Sequence, residues 1–366
     1  MKVGILTSSR ADFGIYLPLL NVLRNDNFFE LEIIAFGTHL SKKHGYTIQE
    51  IESSGFEAKH QIKSPYNSNT PEELAESIAK TTALFAKFWN KNNFDLVVTL
   101  GDRYEMYAAV SAASPFNIKF AHIHAGETTL GAIDNAYRHS ISLFSKYLFV
   151  STEVYKKRAE RLVEKDIPVY NVGALSIDNL THIKYLTKSE FKKKFDIDLS
   201  LPTILSTFHP ETVSYEKNET YIDELLNAFS RLKLKYQIIV TMPNTDTMGQ
   251  MIRDKINIFK VKNPKIIVVE SLGMIGYLSC MKHVDLLIGN TSSGFVEASY
   301  FPKYVINLGN RQKGRLETKN IFTIPIVKDD ILKAVNKIKT LPPLSNLNIY
   351  GKGNSAQQII SIFKDI

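Results

Sequence analysis

Six acidic, basic or imidazole side chains fall within twenty residues of this chain, between positions 120 and 139. They are His122, His124, Glu127, Asp134, Arg138 and His139. An apolar run over 118–123 leads into the segment, and a helical pattern over 135–145 follows it. Because α/β proteins keep their chemistry at the carboxyl ends of buried strands, this segment predicts an acid–base site. A polar surface loop is the simpler alternative.

The spacing of His122 and His124 also suggests a metal site, because alternate residues of a strand can point the same way. Glu127 would then be a third ligand. No cysteine, aspartate or HExxH pattern completes such a set. We therefore expect no bound metal and no other cofactor.

A loop of small residues follows the first expected strand, over 7–14, and contains Arg10 and Asp12. Its N–H groups and Arg10 could hold a phosphate at the start of a helix expected near residue 15. A plain loop with a surface arginine is the alternative. The loop lacks the G-x-G-x-x-G pattern, so an NAD site of the usual kind is not expected.

Asp102 and Arg103 follow another wholly apolar strand, 96–100. Asp102 could act as a base or orient one, and it could equally cap the helix that begins near Tyr104. Arg103 suits a phosphate, because a guanidinium pairs with two oxygens at once. If the strands are neighbours, both residues lie beside the loop over 7–14.

The second half of the chain contains three strand-to-helix loops with residues suited to an anionic ligand. In the 288–297 segment, small hydroxyl residues and glycines open a helix, which predicts an anion cradle, although Ser292 could be an ordinary cap. The candidate ligands are His209, Ser292, Ser293, Gly294, Glu297, Arg311 and Arg315. Glu297 is expected one turn into its helix, where its carboxylate could accept ribose hydroxyls.

Strand and helix signals alternate along the 366 residues, and the strands are continuous apolar runs. Such runs are typical of parallel sheets covered on both faces. We predict an α/β fold with two doubly wound Rossmann-like domains facing across a cleft. The domains span 1–175 and 176–350, and a last helix in 351–366 could pack back on the first domain. Helix caps are expected at Thr70 and Thr187.

Composition bounds the class of protein. The single cysteine, Cys280, excludes an internal disulfide framework, and no apolar run is long enough for a membrane helix, so a cytoplasmic protein is expected. The net charge of +8 comes from scattered lysines without interleaved aromatic residues, which is weak support for nucleic-acid binding. It also suits an anionic small substrate such as a nucleotide sugar.

Together these motifs resemble the UDP-N-acetylglucosamine 2-epimerase family, in particular its hydrolysing branch in sialic acid biosynthesis. The matching stretches are 9–12, 101–103, 122–127 with 134 and 138–139, 208–210, 290–294 with 297, and 311–315. Each stretch is weakly specific alone, but their order and spread over nearly the whole chain are specific. Some family members have a glutamate at the position of His124.

The resemblance implies a fold like that of GT-B glycosyltransferases, with UDP in the cleft. It also implies conversion of UDP-GlcNAc and water to ManNAc and UDP, with inversion at C2. The implied catalytic residues are Asp102, His124, Glu127 and Asp134. The implied substrate-binding residues are Arg10, Asp12, Arg103, Arg138, His139, His209, Ser292, Ser293, Gly294, Glu297, Arg311 and Arg315.

Four alternatives remain open at this stage. The same chemistry could act on UDP-2,4-diacetamido-2,4,6-trideoxyglucose, or a non-hydrolysing epimerase could return UDP-ManNAc. A glycosyltransferase would use the same fold. From another class, a nucleotide-sugar-binding protein without turnover is possible. We expect a UDP-sugar as ligand, a homo-oligomer (dimer or tetramer), and neither nucleic acid nor membrane as a partner.

Overall fold

The computed structural model describes residues 1–41, 46–65, 70–164, 167–213, 215–243, 249–345, 347 and 349–366. It divides the chain into two compact units. The first comprises Met1–Glu127, Asp134–Thr181 and Tyr350–Ile366, and the second comprises Thr128–Ile133 and His182–Ile349. Within the described ranges, no helix is both long and apolar enough to cross a membrane.

The first unit is built on a seven-stranded sheet in the order β3-β2-β1-β4-β5-β6-β7, and every neighbouring pair is parallel. The strands are β1 (Lys2–Thr7), β2 (Glu30–Phe36), β3 (His60–Ile62), β4 (Leu96–Leu100), β5 (Phe120–Ile123), β6 (Tyr147–Val150) and β7 (Val169–Asn171). The helices are α1 (Arg10–Arg24), α2 (Ile48–Ser53), α3 (Pro71–Trp89), α4 (Tyr104–Ser111), α5 (Asp134–Phe144), α6 (Glu153–Leu162) and α7 (Leu175–His182).

Both faces of the first sheet are covered, which explains the continuous apolar strands. Ile5 belongs to one buried cluster, with Phe13 of α1, and the next residue, Leu6, belongs to another, with Phe85 and Trp89 of α3. Successive side chains of a strand point to opposite faces, so each face needs its own apolar set.

The second unit has a six-stranded parallel sheet in the order β10-β9-β8-β11-β12-β13. Its strands are β8 (Thr203–Thr207), β9 (Gln237–Thr241), β10 (Ile267–Val269), β11 (Leu286–Gly289), β12 (Tyr304–Leu308) and β13 (Ile321–Ile324). Its helices are α8 (Lys188–Phe195), α9 (Asn218–Leu232), α10 (Gly249–Lys262), α11 (Gly273–His283), α12 (Glu297–Tyr300) and α13 (Lys328–Ile338). The two Rossmann-like units confirm the expected fold class.

The last helix, α14 (Ser355–Asp365), belongs to the first unit and packs beside α1. The carboxylate of Asp178 in α7 accepts hydrogen bonds from the backbone N–H groups of Ser355, at 3.0 Å, and Ala356, at 2.7 Å. These bonds attach α7 to the start of α14. At the end of α7 the chain passes from the first unit to the second. This change lies between Thr181 and His182, and the predicted boundary was at 175/176.

Local signals explain which elements were predicted. The capping box of Thr187 and Glu190 is present, and Thr70 accepts a hydrogen bond from the N–H of Glu73, as expected. Helix α1 begins at Arg10 rather than near residue 15. The strands β3 and β13, which were not predicted, are short strands at the edges of their sheets.

Candidate functional site

The predicted acid–base residues follow neighbouring strands of the first sheet. β4 lies between β1 and β5, and Thr99 of β4 is paired with His122 of β5. Because all three strands are parallel, the loops that follow them leave the sheet at the same edge. The sheet therefore brings together the segments that contain Arg10, Asp102 and His124.

In the loop after β1, the carboxylate of Asp12 accepts hydrogen bonds from its neighbours. Asp12 is buried and accepts hydrogen bonds from the N–H groups of Ser8, at 2.8 Å, and Ser9, at 3.0 Å, and from both hydroxyls of these serines. These are the N–H groups predicted to hold a phosphate, and Asp12 occupies them as the N3 residue of a capping box with Ser9. The binding role of Asp12 stays a prediction. Arg10, half exposed and 3.7 Å from Glu50, remains available to a ligand.

Arg138 of α5 is the centre of a buried polar network at this sheet edge. Its guanidinium donates to the carboxylate of Asp102 and, at 2.8 Å, to the backbone carbonyl of His124. Its Nη1 also lies 3.7 Å from Oε2 of Glu127. One buried cation thus fixes two predicted catalytic carboxylates and the backbone of a third catalytic residue.

Nδ1 of His124 and Oε1 of Glu127 are 2.7 Å apart, which is hydrogen-bond distance. Glu127 is buried, and its Oε1 also accepts from the Ser151 hydroxyl at 3.2 Å. A carboxylate only accepts, so Nδ1 of His124 carries the proton of this bond. Nε2 of His124 is buried and has no hydrogen-bond partner in the described part of the chain. In the neutral tautomer with its proton on Nδ1, the imidazole has its lone pair on Nε2.

The turn that presents this pair needs unusual backbone angles. His124 has φ 65°, in the left-handed region that non-glycine residues seldom adopt, and Gly126 has φ 70°. A Cβ at Gly126 would overlap the carbonyl oxygen of Tyr155. A glycine is therefore required there by both angle and space.

His122 does not share the position of His124. It is fully buried, with Nε2 2.8 Å from the carbonyl of Gly101 and Nδ1 2.9 Å from the Ser142 hydroxyl. Burial lowers the pKa of His122 to about 3. Both nitrogens of this neutral ring are thus engaged, which argues against the shared metal ion. Among the described residues, no three His, Cys, Asp or Glu side chains are grouped to hold a metal.

The remaining residues predicted for the first unit surround this network. Arg103 donates to Oε1 of Glu105 at 3.0 Å. Glu105 is fully buried, and burial raises the pKa of its carboxyl. His139 is half-buried, and burial, reinforced by Arg138, lowers the pKa of its imidazole. Asp134 is the first residue of α5, four positions before Arg138.

In the second unit, the predicted ligands follow three adjacent strands, β8, β11 and β12. Glu211, in the loop after β8, is buried, and its Oε1 accepts from the N–H groups of Asn310, at 2.6 Å, and Arg311, at 3.1 Å. A carboxylate thus occupies these two backbone donors, as Asp12 does in the first unit. A phosphate at this edge would depend on side chains such as those of Arg311 and Arg315.

The loop after β11 differs from the helix opening that was predicted. Ser292–Gly294 form a single 3₁₀ turn, and α12 is only Glu297–Tyr300. Thr291, rather than Ser292, is the N-cap residue of this turn, and its side chain makes no capping hydrogen bond. Ser292 is an exposed residue. Burial raises the pKa of Tyr277 to about 12, and the neighbouring side chains of Thr207 and Ser293 oppose this shift. Tyr277, which lies in α11, was not predicted because no local motif marks it.

Comparison with known proteins agrees with this geometry. The family model for UDP-N-acetylglucosamine 2-epimerases matches residues 21–364. The chain belongs to this family. It is 34% identical over 368 residues to the polysialic acid biosynthesis protein P7 of Escherichia coli, covering 100% of this chain and 94% of that protein.

A second relative is a hydrolysing epimerase by name. The hydrolysing GDP/UDP-N,N'-diacetylbacillosamine 2-epimerase of Campylobacter jejuni is 35% identical over 340 residues, covering 93% of this chain and 88% of that protein. The predicted resemblance to hydrolysing members of the family is thereby confirmed. The fold matches the Neisseria meningitidis UDP-GlcNAc 2-epimerase bound to UDP-GlcNAc, with a TM-score of 0.83, 18% identity and full coverage of both chains.

Proposed function

We propose that this family member hydrolyses UDP-GlcNAc to ManNAc and UDP with inversion at C2. The observation that supports this most directly is the buried His124–Glu127 pair beside the Asp102–Arg138 pair. Nε2 of His124 has no hydrogen-bond partner within the described ranges. Removing and returning a proton on opposite faces of a sugar ring requires two acid–base groups. A protein that only bound UDP would need neither.

The proposed reaction begins with removal of the C2 proton. Nε2 of His124 has the lone pair for this step, and the carboxylate of Glu127 both orients the ring and stabilises the imidazolium that forms. The electrons of the C2–H bond form a C1–C2 double bond as the C1–O bond to UDP breaks. UDP leaves as an anion.

The second half of the reaction adds water across the double bond. The hydroxyl of water bonds to C1, and a proton returns to C2 on the opposite face. Asp102 is the proposed acid–base partner for this half, with Asp134 as the other carboxylate of the family pattern. Arg138 holds Asp102 and the His124 backbone, so it sets the distance between the two groups.

UDP would be held by the residues at the carboxyl edge of the second sheet. Arg311 and Arg315 would balance the diphosphate charge, together with His209 and the hydroxyls of Ser292 and Ser293. Glu297 would accept the ribose hydroxyls. From the first unit, Arg10 and Arg103 are the proposed additional cations, because both lie at the carboxyl edge of their sheet.

A second substrate is favoured by a specific observation. The Campylobacter relative, 35% identical, is named for a diacetamido sugar rather than for GlcNAc. The two candidate sugars have the same reacting C1 and C2 atoms. They differ at C4, which has a hydroxyl or an acetamido group, and at C6. Shape and hydrogen bonding in the sugar pocket therefore decide between them.

The experiment is a direct comparison of kcat/KM for the two UDP-sugars, measured as UDP release. We expect UDP-GlcNAc to be preferred by at least about tenfold, the scale on which a pocket discriminates one substituent. Asp102→Asn is the matched control, with turnover lost and UDP binding kept. A reversed preference would assign the diacetamido sugar, and UDP release from neither sugar would contradict the proposed hydrolysis.

A further inference from the structure

Asn290 is a fully buried residue immediately after β11, and its side chain pairs with the backbone of His209. The N–H of His209 donates to Oδ1 of Asn290 at 2.7 Å, and Nδ2 of Asn290 donates to the carbonyl of His209 at 2.8 Å. The carboxamide thus satisfies both backbone groups of one residue on the neighbouring loop. Such a two-point bond fixes orientation as well as distance.

The backbone carbonyl of Asn290 anchors the third loop of this sheet edge. It accepts hydrogen bonds from Nη1 of Arg311, at 3.2 Å, and from Nε2 of Gln312, at 2.9 Å. The other end of the Gln312 carboxamide accepts from Nε of Arg315 at 2.6 Å. Asn290 is therefore connected to the loops after β8 and β12, which contain three proposed UDP ligands.

These contacts depend on asparagine in particular. Oδ1 must accept and Nδ2 must donate, and both atoms are shielded from water. An aspartate has the same shape, but when ionised it has no donor and would direct a negative charge at the His209 carbonyl. When protonated, it would again provide one acceptor and one donor.

We propose that Asn290 is a positioning residue for the UDP site, and that it sets His209, Arg311 and Arg315 in one binding arrangement. The proposal rests on the proposed function, since it concerns how UDP is held. Asn290 need not touch the substrate itself. Its effect would be exerted through the three residues that it orients.

The test uses Asn290→Asp in the full-length protein, with UDP affinity measured by calorimetry between pH 7.5 and pH 5.5. At pH 7.5 we expect UDP to bind at least about tenfold more weakly than to the wild type, the cost of an uncompensated buried charge. As the pH falls, the ratio of the two affinities should return toward one. Burial raises the pKa of such a carboxyl, so it should regain a proton within this range.

Asn320→Asp is the matched control. Asn320 is also fully buried in the second unit, and its Nδ2 donates to the carbonyl of Lys303 at 2.9 Å. Lys303 and Asn320 precede β12 and β13, so they lie at the opposite edge of the sheet from the predicted ligands. This variant should lose comparable thermal stability while UDP affinity stays within about threefold of the wild type.

A second variant keeps the test valid if Asn290→Asp does not fold. Gln312→Met preserves shape but removes the bonds to Asn290 and Arg315, and UDP affinity should fall several-fold. Equal loss in the Asn320 control, or an Asn290→Asp defect that does not change with pH, would overturn the positioning role. A wild type that binds no UDP would overturn the proposed function and the positioning role together. If the wild type binds UDP and the Asn290→Asp and Gln312→Met variants bind it equally well, the positioning role alone would be overturned.

Discussion

His124 adopts a backbone conformation that costs free energy. Its φ of 65° is in the left-handed region, which a non-glycine residue occupies at a cost of roughly 1–3 kcal/mol. The turn places Nδ1 against Glu127, and among the described residues Nε2 has no hydrogen-bond partner. Strain of this kind at a site of unpaired polar atoms is consistent with a catalytic role rather than a structural one.

The first prediction concerns His124→Asn. Asparagine tolerates the left-handed conformation, so the turn should be preserved while the proton acceptor is lost. We expect kcat to fall by roughly 10²–10⁴-fold, the usual contribution of a general base. UDP affinity should stay within about threefold, since the proposed UDP ligands lie elsewhere. Steady-state kinetics and calorimetry test this, and a kcat near that of the wild type would exclude His124 as the base.

A second prediction follows from His122, whose pKa of about 3 lies below the ordinary value of 6.5. As the pH falls below 6.5, the unfolded chain binds a proton that the folded chain does not, so the folded state loses stability. Between pH 6 and pH 4.5 this amounts to about 2 kcal/mol.

His122→Gln removes this titration. As the pH falls from 6 to 4.5, the wild type should therefore lose about 2 kcal/mol more unfolding free energy than the variant does. Urea unfolding at a series of pH values measures it. Parallel pH profiles for the two proteins would show that His122 is not held neutral in the fold.

The sequence predicted which residues lie at the site more completely than it predicted their hydrogen-bond partners. His124 and Glu127 are three positions apart, so their proximity is a local property. The occupation of backbone donors by Asp12 and Glu211 could not be predicted, because a carboxylate near a loop could face either solvent or the loop's own N–H groups. The partners of Asn290 depend on strand order, which the sequence left open.

At the scale of elements, α14 completes the core of the first unit. Ile359 and Phe363 lie in the same buried cluster as Val3, Ile5 and Phe13. The ring of Phe363 meets that of Phe149 edge to face, with 5.7 Å between centroids. A helix some 350 residues from β1 along the chain thus covers one face of the first sheet.

The third prediction is that Phe363→Ala lowers the unfolding free energy of the first unit by about 3–5 kcal/mol, the usual cost of a phenylalanine-sized cavity. Lys364→Ala is the matched control, because the Lys364 side chain is 44% exposed, forms an ion pair with Asp26 and lies over the ring of Phe28. Thermal unfolding with probes in each unit tests this. Equal effects of the two variants would show that α14 does not contribute to the core.

The order of the elements was largely predictable, because buried strands and capped helices leave strong local signals. From the sequence, α14 could pack on the first unit, but its apolar face does not specify which surface it packs against. The start of α1 was predicted too late because the Ser9–Asp12 capping box places charged and small residues inside the first turn. Such residues resemble a loop in sequence.

At the scale of the whole molecule, the chain leaves the first unit for six residues within the segment 120–139, which contains most of the predicted acid–base residues. Residues Thr128–Ile133 belong to the second unit, while Glu127 and Asp134 on either side belong to the first. In the second unit, the N–H of Leu130 donates to the carbonyl of Lys313 at 2.9 Å. The sequence could not predict this contact, because its partners are more than 180 residues apart.

The proposed reaction also concerns the whole molecule, because the proposed acid–base groups belong to one unit and most of the proposed UDP ligands belong to the other. The cytoplasmic location, the homo-oligomer and the absence of a nucleic-acid partner stay predictions from the sequence. Epimerisation with hydrolysis has a more specific signature than any of these. It exchanges one carbon-bound hydrogen with solvent and releases a free sugar.

The most direct measurement is proton NMR of the products formed from UDP-GlcNAc in deuterated water. The proposed mechanism predicts free ManNAc, UDP, and one deuterium at C2, because the proton removed from C2 is replaced from solvent. The control is Asp102→Asn, which should give no product. Free GlcNAc with its C2 hydrogen retained, or an epimer still attached to UDP, would contradict the proposed function.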